Sequence, residues 1–194
     1  RLVGSEMCIR DRLFWEMHIG TGKGTGLRKI DPVTDCVLDE DSYLEMDTIQ
    51  LRGVDRTTRS TSAVLGKGAK IVVRERIMTD GDEEAVTKFR VELNGEDSGA
   101  DLVSRSVARG NSHQAFYSVV EGNNRCTGHS ACDAILADNG KVDAQPALNA
   151  ANVDAALIHE AAIGKIAGEQ ILKLCSLGLT REEAEEKIIE GFLK

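Results

Sequence analysis

Three residues in the second half of the chain combine types that can do chemistry: Cys132, His159 and Glu160. Thiolate, imidazole and carboxylate groups are the side chains that hold iron or zinc, and a cysteine with a histidine can also run thiol chemistry. The three residues lie close to the change from β-branched runs to helical periodicity. The sequence therefore indicates a metal or thiol site at that junction.

The geometry of a strand limits which of these residues can share a site. Adjacent strand residues point to opposite faces, so His159 and Glu160 serve one site only if the chain bends between strand and helix. The run Cys126-x-x-His129-x-x-Cys132 places its histidine opposite its two cysteines, which argues against a three-ligand site but lets Cys126 assist Cys132. Structural roles remain open as well, with Cys132 as a small core residue and Glu160 as a carboxylate favouring a helix dipole.

Composition restricts the partners of this 194-residue chain. The formal net charge of −8 argues against nucleic acid or an anionic membrane as the main partner. We find no apolar run as long as the roughly 20 residues of a membrane span. Five cysteines without the apolar region of a signal peptide indicate free thiols in a reducing compartment, for which the cytoplasm is the default.

The first twelve residues match a translated sequencing adapter rather than a folded segment. Residues 1–12 have no strand or helix period, and they follow one reading frame of a transposase adapter almost throughout. We therefore exclude them from fold reasoning, which removes Cys8 from any metal or thiol site. The remaining segment has 21 basic and 30 acidic residues. We expect the natural protein to extend further upstream.

A glycine-rich run at residues 20–26 invites a phosphate-loop interpretation but does not support one. A Walker loop requires Ser or Thr after Gly-Lys, whereas Gly22-Lys23 is followed by Gly24. The run is typical of a turn that needs glycine.

Short apolar runs separated by Gly/Asn clusters dominate residues 37–158 and predict a mainly β protein. In 89–93 apolar and charged residues alternate strictly, which predicts one buried and one solvated face. A sandwich, a barrel and a β-solenoid all fit this pattern. Small residues at the turns and an aromatic content of only 4% favour stacked coils. The predicted strands contain residues 64–65, 71–73, 89–93, 102–107, 115–120, 134–137 and 155–158.

The period changes to that of a helical pair in the last 35 residues. The first helix is predicted from one apolar face and ends at Gly178, and Thr180 with Glu183 forms a capping box that opens the second. Neither helix can bury its stripe alone, so both must pack on the β body or on another protein. The first face contains Ile163, Ile166, Ala167, Gln170, Ile171 and Leu174; the second contains Ala184, Ile188, Ile189 and Phe192.

Six segments, occurring in this order, closely resemble the SufB/SufD family of iron–sulfur cluster assembly scaffolds: 104–111, 128–135, 159–166, 169–170, 178–184 and 188–192. The resemblance implies a right-handed parallel β-helix core over 13–158 and a C-terminal helical segment over 159–194. It further implies that a SufC-type ABC ATPase docks on these helices. Two scaffold protomers would pair through their β-helices, as a homodimer or with a SufB/SufD paralogue.

The same resemblance assigns roles to the three residues of the candidate site. Cys132 falls at the family's assembly cysteine and His159-Glu160 at its His-Glu pair, which favours the SufB type and a transient iron–sulfur cluster as cargo. The implied protein is a scaffold rather than an enzyme. The family's N-terminal helical region and early cysteine have no counterpart here. Two other functions fit the residues: a Cys–His thiol or acyl transferase with Cys132 as nucleophile and His159 as base, and a purely structural β-solenoid.

Overall fold

The computed structural model describes residues 11–21 and 24–194. The first ten residues, including Cys8, and Gly22-Lys23 of the glycine-rich run lie outside the described residues. The described strands are β1 (Asp11–Ile19), β2 (Lys29–Ile30), β3 (Val33–Leu38), β4 (Tyr43–Arg52), β5 (Arg56–Leu65), β6 (Lys70–Thr79), β7 (Glu84–Leu93), β8 (Ser98–Ala108), β9 (His113–Gly122), β10 (Cys126–Leu136), β11 (Lys141–Ala150) and β12 (Ala155–Gly164). The described helices are α1 (Gly168–Cys175) and α2 (Arg181–Phe192).

The strands form two parallel sheets that the chain visits alternately. Sheet A has the order β1-β4-β6-β8-β10-β12, and sheet B has the order β11-β9-β7-β5-β2 with β3 also paired to β5. From β4 onward each strand pairs with the strand two places along the chain, so successive coils stack on each other. The result is a β-solenoid of about five turns, which confirms the predicted fold class.

Strict alternation of side chains creates the core between the two sheets. Along β7, Phe89, Val91 and Leu93 point inward and are at most 2% exposed, while the charged residues between them face solvent. In-register stacking then pairs apolar residues with apolar residues: Val91 pairs with Ala63 on one side and Val120 on the other. All the predicted strand runs lie in strands apart from Ala137, which follows the end of β10.

Close stacking of the coils leaves little room at the turns. A Cβ on Gly95 would lie 2.0 Å from the carbonyl carbon of Gly66 in the preceding coil. At Gly110 the backbone has φ of 61°, a left-handed conformation that glycine adopts without strain. These turns explain why the sequence places glycine between its apolar runs.

The C-terminal helices form a hairpin that rests on the outer face of sheet A. The capping box predicted at Thr180 and Glu183 is confirmed, and the stripe of α2 contacts Val107 and Ile135 through Ile189. The prediction that the first helix includes Ile163, Ile166 and Ala167 is wrong, because α1 begins only at Gly168. Ile163 belongs to β12, where parallel pairing with Ala134 of β10 extends the sheet.

Strands β1 to β4 and β11 lie outside the predicted runs. Most of β4 carries mixed polar and apolar residues without turn signals at regular spacing. Strand β11 contains a proline at 146, which is tolerated because β11 lies at the edge of sheet B. None of the described helices is long and apolar enough to cross a membrane.

Candidate functional site

Cys132 lies on the inner face of β10, near the C-terminal end of the solenoid. It pairs in register with Ser104 of β8 and Ala161 of β12, and only 1% of its surface is exposed. Burial raises the pKa of the Cys132 thiol to about 12, with smaller contributions from the negative charges of Glu75 and Asp133. The thiol is therefore protonated at neutral pH in this conformation.

A buried polar row leads to Cys132 along the inside of sheet A. Glu16, Thr48, Glu75, Ser104 and Cys132 occupy the same register position on five neighbouring strands. Within this row the Ser104 hydroxyl donates to Glu75 Oε2 over 2.9 Å. An ionisable row inside a β-solenoid is costly to bury unless each charge has a partner.

Sheet B supplies the partners of these carboxylates from across the interior. Arg59 of β5, with 4% of its side chain exposed, donates from Nη1 to Glu16 Oε2 over 2.6 Å and places Nε 3.4 Å from Glu75 Oε1. The Thr87 hydroxyl also donates to Glu75 over 3.0 Å. Burial raises the pKa of Glu75, while the positive charge of Arg59 opposes that shift. Next to Cys132 a cavity of about 10 Å³ has room for about one water molecule.

His159 shares the inner face with Cys132. It pairs with Ser130, two residues before Cys132 on the neighbouring strand, so the two side chains are diagonal neighbours. Both ring nitrogens of His159 are buried and make no hydrogen bond to the described residues. Burial lowers the pKa of His159, and the nearby charge of His129 lowers it further. Burial thus disfavours the charged form of this imidazole.

Glu160 points the other way. The expected bend at the pair is not present: His159 and Glu160 both lie within the regular strand β12, so Glu160 is on the outer face with a side chain 72% exposed. Its carboxylate lies 3.7 Å from Nε2 of His129. The structure thus brings Cys132 and His159 to one side of the sheet and places Glu160 with His129 on the other.

Cys126, Cys175 and His113 do not extend either group. Cys126 faces inward and His129 outward, as the strand period predicts for the Cys126-x-x-His129-x-x-Cys132 run. Cys175 is half-buried on α1, and His113 forms a surface ion pair with Asp143 at 2.7 Å. Among the described residues, no set of three or more His, Cys, Asp or Glu side chains is arranged to hold a metal ion.

Sequence reasoning missed Arg59 and Glu75, the most buried charges of the interior. The stretch Arg74-Glu75-Arg76 is typical of a solvated surface, and only the inward phase of Ile71 and Val73 in the same strand signals that Glu75 points inside. The alternation alone is enough to predict that Glu75 points inside. The partners of Glu75 cannot be predicted in this way, because they depend on which coils stack.

Comparison with known proteins decides the family. The family model described as SUF system FeS cluster assembly, SufBD core domain, matches residues 32–192, which is most of the chain. The chain belongs to the SufBD family. Its SufBD core therefore comprises nearly all of the solenoid and both helices, and the resemblance seen in the sequence is confirmed.

Curated SufBD relatives come from several archaea. An iron–sulfur cluster assembly SufBD family protein of Archaeoglobus fulgidus is 31% identical over 167 residues, covering 86% of this chain and 45% of the relative. One of Methanothermobacter thermautotrophicus is 33% identical over 135 residues, covering 69% and 33%. One of Methanocaldococcus jannaschii is 27% identical over 166 residues, covering 84% and 52%. The chain spans about half the length, or less, of these relatives.

Proposed function

We propose that this SufBD chain is part of a scaffold on which a transient iron–sulfur cluster is assembled. The observation that carries the proposal is the inward placement of Cys132 and His159 on the last two strands of sheet A. A thiolate is the soft ligand that iron–sulfur clusters require, and the unpartnered imidazole of His159 is a second donor beside it. Membership of a cluster assembly family supports this assignment.

The end of the solenoid provides a surface where a second protomer would bind. Within the described residues β12 pairs only with β10, and β11 pairs only with β9, so both leave a strand edge open. Open edges and exposed apolar side chains favour pairing with another chain. Ile158 is 57% exposed and Leu148 is 39% exposed at this end. We propose that a second copy or a SufB/SufD paralogue covers this coil, and that the cluster forms beside that interface.

The helical hairpin is the proposed docking element for a SufC-type ATPase. The apolar face of α2 packs on sheet A. By contrast, Leu172 on α1 and Leu177 after α1 are 70% and 73% exposed. Exposed apolar residues on a small amphipathic unit indicate a protein partner. Because Cys132 is 1% exposed and protonated, the thiolate must be uncovered before it can bind iron. Movement of the hairpin and of the final coil, driven by the ATPase, would supply that opening.

Iron binding and nucleophilic attack both require the thiolate, so the burial of Cys132 opposes both roles in this conformation. Reactive cysteines lie in partly exposed, electropositive surroundings that lower the thiol pKa. Cys132 has the opposite environment, with a pKa of about 12 and negative charge nearby. Membership of a cluster assembly family is what favours the scaffold over the Cys–His transferase alternative.

Anaerobic reconstitution with iron and sulfide tests the proposal. The visible absorbance of a cluster should form on the chain supplied with its SufC-type partner and be lost in Cys132→Ala. Cys126→Ala is the matched control, since Cys126 is also inward on β10 and only 3% exposed. Equal cluster formation in Cys132→Ala would refute the ligand role, and loss in both variants would point to general damage of the solenoid. A SufC-type partner whose binding survives removal of 168–194 would refute the docking role of the helices.

A further inference from the structure

Three arginines lie together on the outer face of sheet A, close to the end of the helical hairpin. Arg74 and Arg76 are two residues apart on β6, and both are on the solvent side of that strand. Arg105 of β8 pairs in register with Arg76, so these two arginines are direct cross-strand neighbours. Like charges placed opposite each other in a sheet are destabilising unless other groups neutralise them. We call these three residues the arginine triad.

Neighbouring carboxylates neutralise two members of the triad. Asp47 of β4 forms an ion pair with Arg76. Asp101 of β8 places Oδ2 3.6 Å from the guanidinium of Arg74. Both contacts run diagonally between adjacent strands, so they leave the space directly above the triad free of carboxylates.

The triad also keeps donors that have no partner among the described residues. The Arg105 side chain forms no ion pair or hydrogen bond within that part of the chain, although Asp133 is its register partner on β10. The Nε of Arg76 is buried and likewise has no hydrogen-bond partner there. A buried donor that lacks an acceptor is costly, which favours a ligand that supplies one.

A cavity of about 390 Å³ lies against the triad and has a strongly positive lining. Its walls are the three arginines, Lys194, Val103, Asp47 and Glu75. Glu75 is 1% exposed, and its carboxylate accepts from hydroxyls in the interior of the solenoid instead. Counted with the ion-paired Asp47 and Asp101, the four cationic residues keep an excess of two positive charges. This excess occurs in a chain whose net charge is −8.

We propose that Arg74, Arg76 and Arg105 bind the phosphate group of a small anionic ligand. A guanidinium presents a planar fork of N–H donors that matches phosphate oxygens, and a phosphate monoester carries a charge of about −2 at neutral pH. Strand geometry places the bases of the three side chains about 5–7 Å apart, so their ends can converge on one phosphate. The cavity lies within the roughly 300–1,000 Å³ of small-molecule sites, which leaves room for an organic group on the phosphate. This site does not depend on the proposed cluster assembly.

Arg76 connects the phosphate site to the helical hairpin. Its Nη1 donates to the carbonyl oxygen of Lys194, two residues after α2, over 3.4 Å. The last turn of α2 contains no basic residue, so Arg76 supplies positive charge near the negative end of that helix. A ligand bound to the triad should hold Arg76 in this position, and its binding should therefore stabilise the docked hairpin.

Titration of the intact chain with inorganic phosphate and with ribose phosphate, at constant ionic strength, tests the proposal. The Nε–Hε NMR signals of Arg76 and Arg105 should shift with saturation. Arg105→Gln should weaken the binding of both probes at least about tenfold, because it removes charge-assisted hydrogen bonds. Arg90→Gln is the matched control, since Arg90 also lies on an outer strand face but is paired with Glu92 and Glu121.

The two probes distinguish the sources of the phosphate. Tighter binding of ribose phosphate would assign the cavity to an organic phosphate, and equal binding would assign it to free phosphate; either result, with the loss in Arg105→Gln, supports the site. Unchanged affinity in Arg105→Gln, an equal loss in Arg90→Gln, or no saturable binding by the wild type would overturn it. Since Arg105 has no ion pair or hydrogen bond among the described residues, its variant should keep the urea midpoint of the wild type. Lost binding then reports on the site and not on the fold.

Discussion

Replacing Arg59 by methionine tests whether the buried charges of Glu16, Arg59 and Glu75 stabilise the solenoid as one coupled group. The substitution keeps apolar volume but removes the 2.6 Å contact with Glu16 and the guanidinium 3.4 Å from Glu75. Glu75, 1% exposed, then keeps only its two hydroxyl donors. Removing one partner of a buried ion pair costs about 3–5 kcal/mol. We expect the free energy of unfolding to fall by that amount.

The Glu75→Gln variant should behave differently. Its single amide oxygen can still accept from one of the two hydroxyls, and the amide nitrogen can donate to the other. Arg59 retains Glu16, so only one of its two charge contacts is lost. We expect a loss of about 1–2 kcal/mol, the cost of a weakened hydrogen-bond group. The double variant Arg59→Met/Glu75→Gln removes the uncompensated charge and should recover about half of the loss caused by Arg59→Met.

Urea unfolding followed by far-ultraviolet circular dichroism at pH 5 and pH 7 measures these differences. Burial raises the pKa of Glu75 in the folded state, so its contribution to stability is present below the unfolded pKa and is lost as pH rises through the folded value. Arg59 opposes this shift, so Arg59→Met should lose stability more steeply between pH 5 and 7, and the double variant should not. Additive losses of unfolding free energy in the double variant, or equal losses for the two single variants, would refute the coupling between Arg59 and Glu75.

Four further predictions concern single residues. With Cys132 as the sole cysteine, thiolate absorbance of the folded chain should rise near pH 12, and stability should fall from pH 9.0 upward; a midpoint near 9.0 while the fold persists would contradict this. His159→Leu should be neutral or stabilise by about 1 kcal/mol, since it removes two unpaired buried nitrogens. It should also remove the loss of stability that we expect of the wild type as pH falls below 6.5. A clearly lower urea midpoint for His159→Leu than for the wild type at neutral pH would contradict the prediction. Thr180→Ala should cost about 1 kcal/mol in α2, seen as faster amide exchange there and not in the sheets. Gly95→Ala should cost at least about 2 kcal/mol by thermal unfolding, whereas Gly164→Ala, with open space at its Cβ, should cost little.

The alternation along single strands was predictable because it is a local property. The period of two in 89–93 predicted the burial of Phe89, Val91 and Leu93, and the capping box at Thr180 needed only four residues. The solenoid itself was one of three folds compatible with the residues, and the family resemblance selected it. Helix and strand periods overlap around residue 163, where pairing with a neighbouring strand outweighed the apolar helical face.

The site was only partly predictable, because stacking of coils is a long-range property. Cys132 and His159 were found by residue type, and their shared face required the register between β10 and β12. Glu160 lies with His129 because the strand continues through it without a bend. Glu75 and Arg59 lie on different sheets and meet across the interior, so their contact cannot be predicted from their spacing in the sequence.

The nearly constant length of a coil makes this protein modular along its axis. Equivalent positions in neighbouring coils of sheet A, such as Glu75, Ser104, Cys132 and Ala161, are 28 or 29 residues apart. Deleting one residue inside a strand would exchange the inner and outer faces of everything that follows in it. Deleting a whole coil would leave every remaining side chain on its own face and shorten the molecule by about 4.8 Å. Natural or engineered length variants of this chain should therefore differ by complete coils, or by residues confined to the turns.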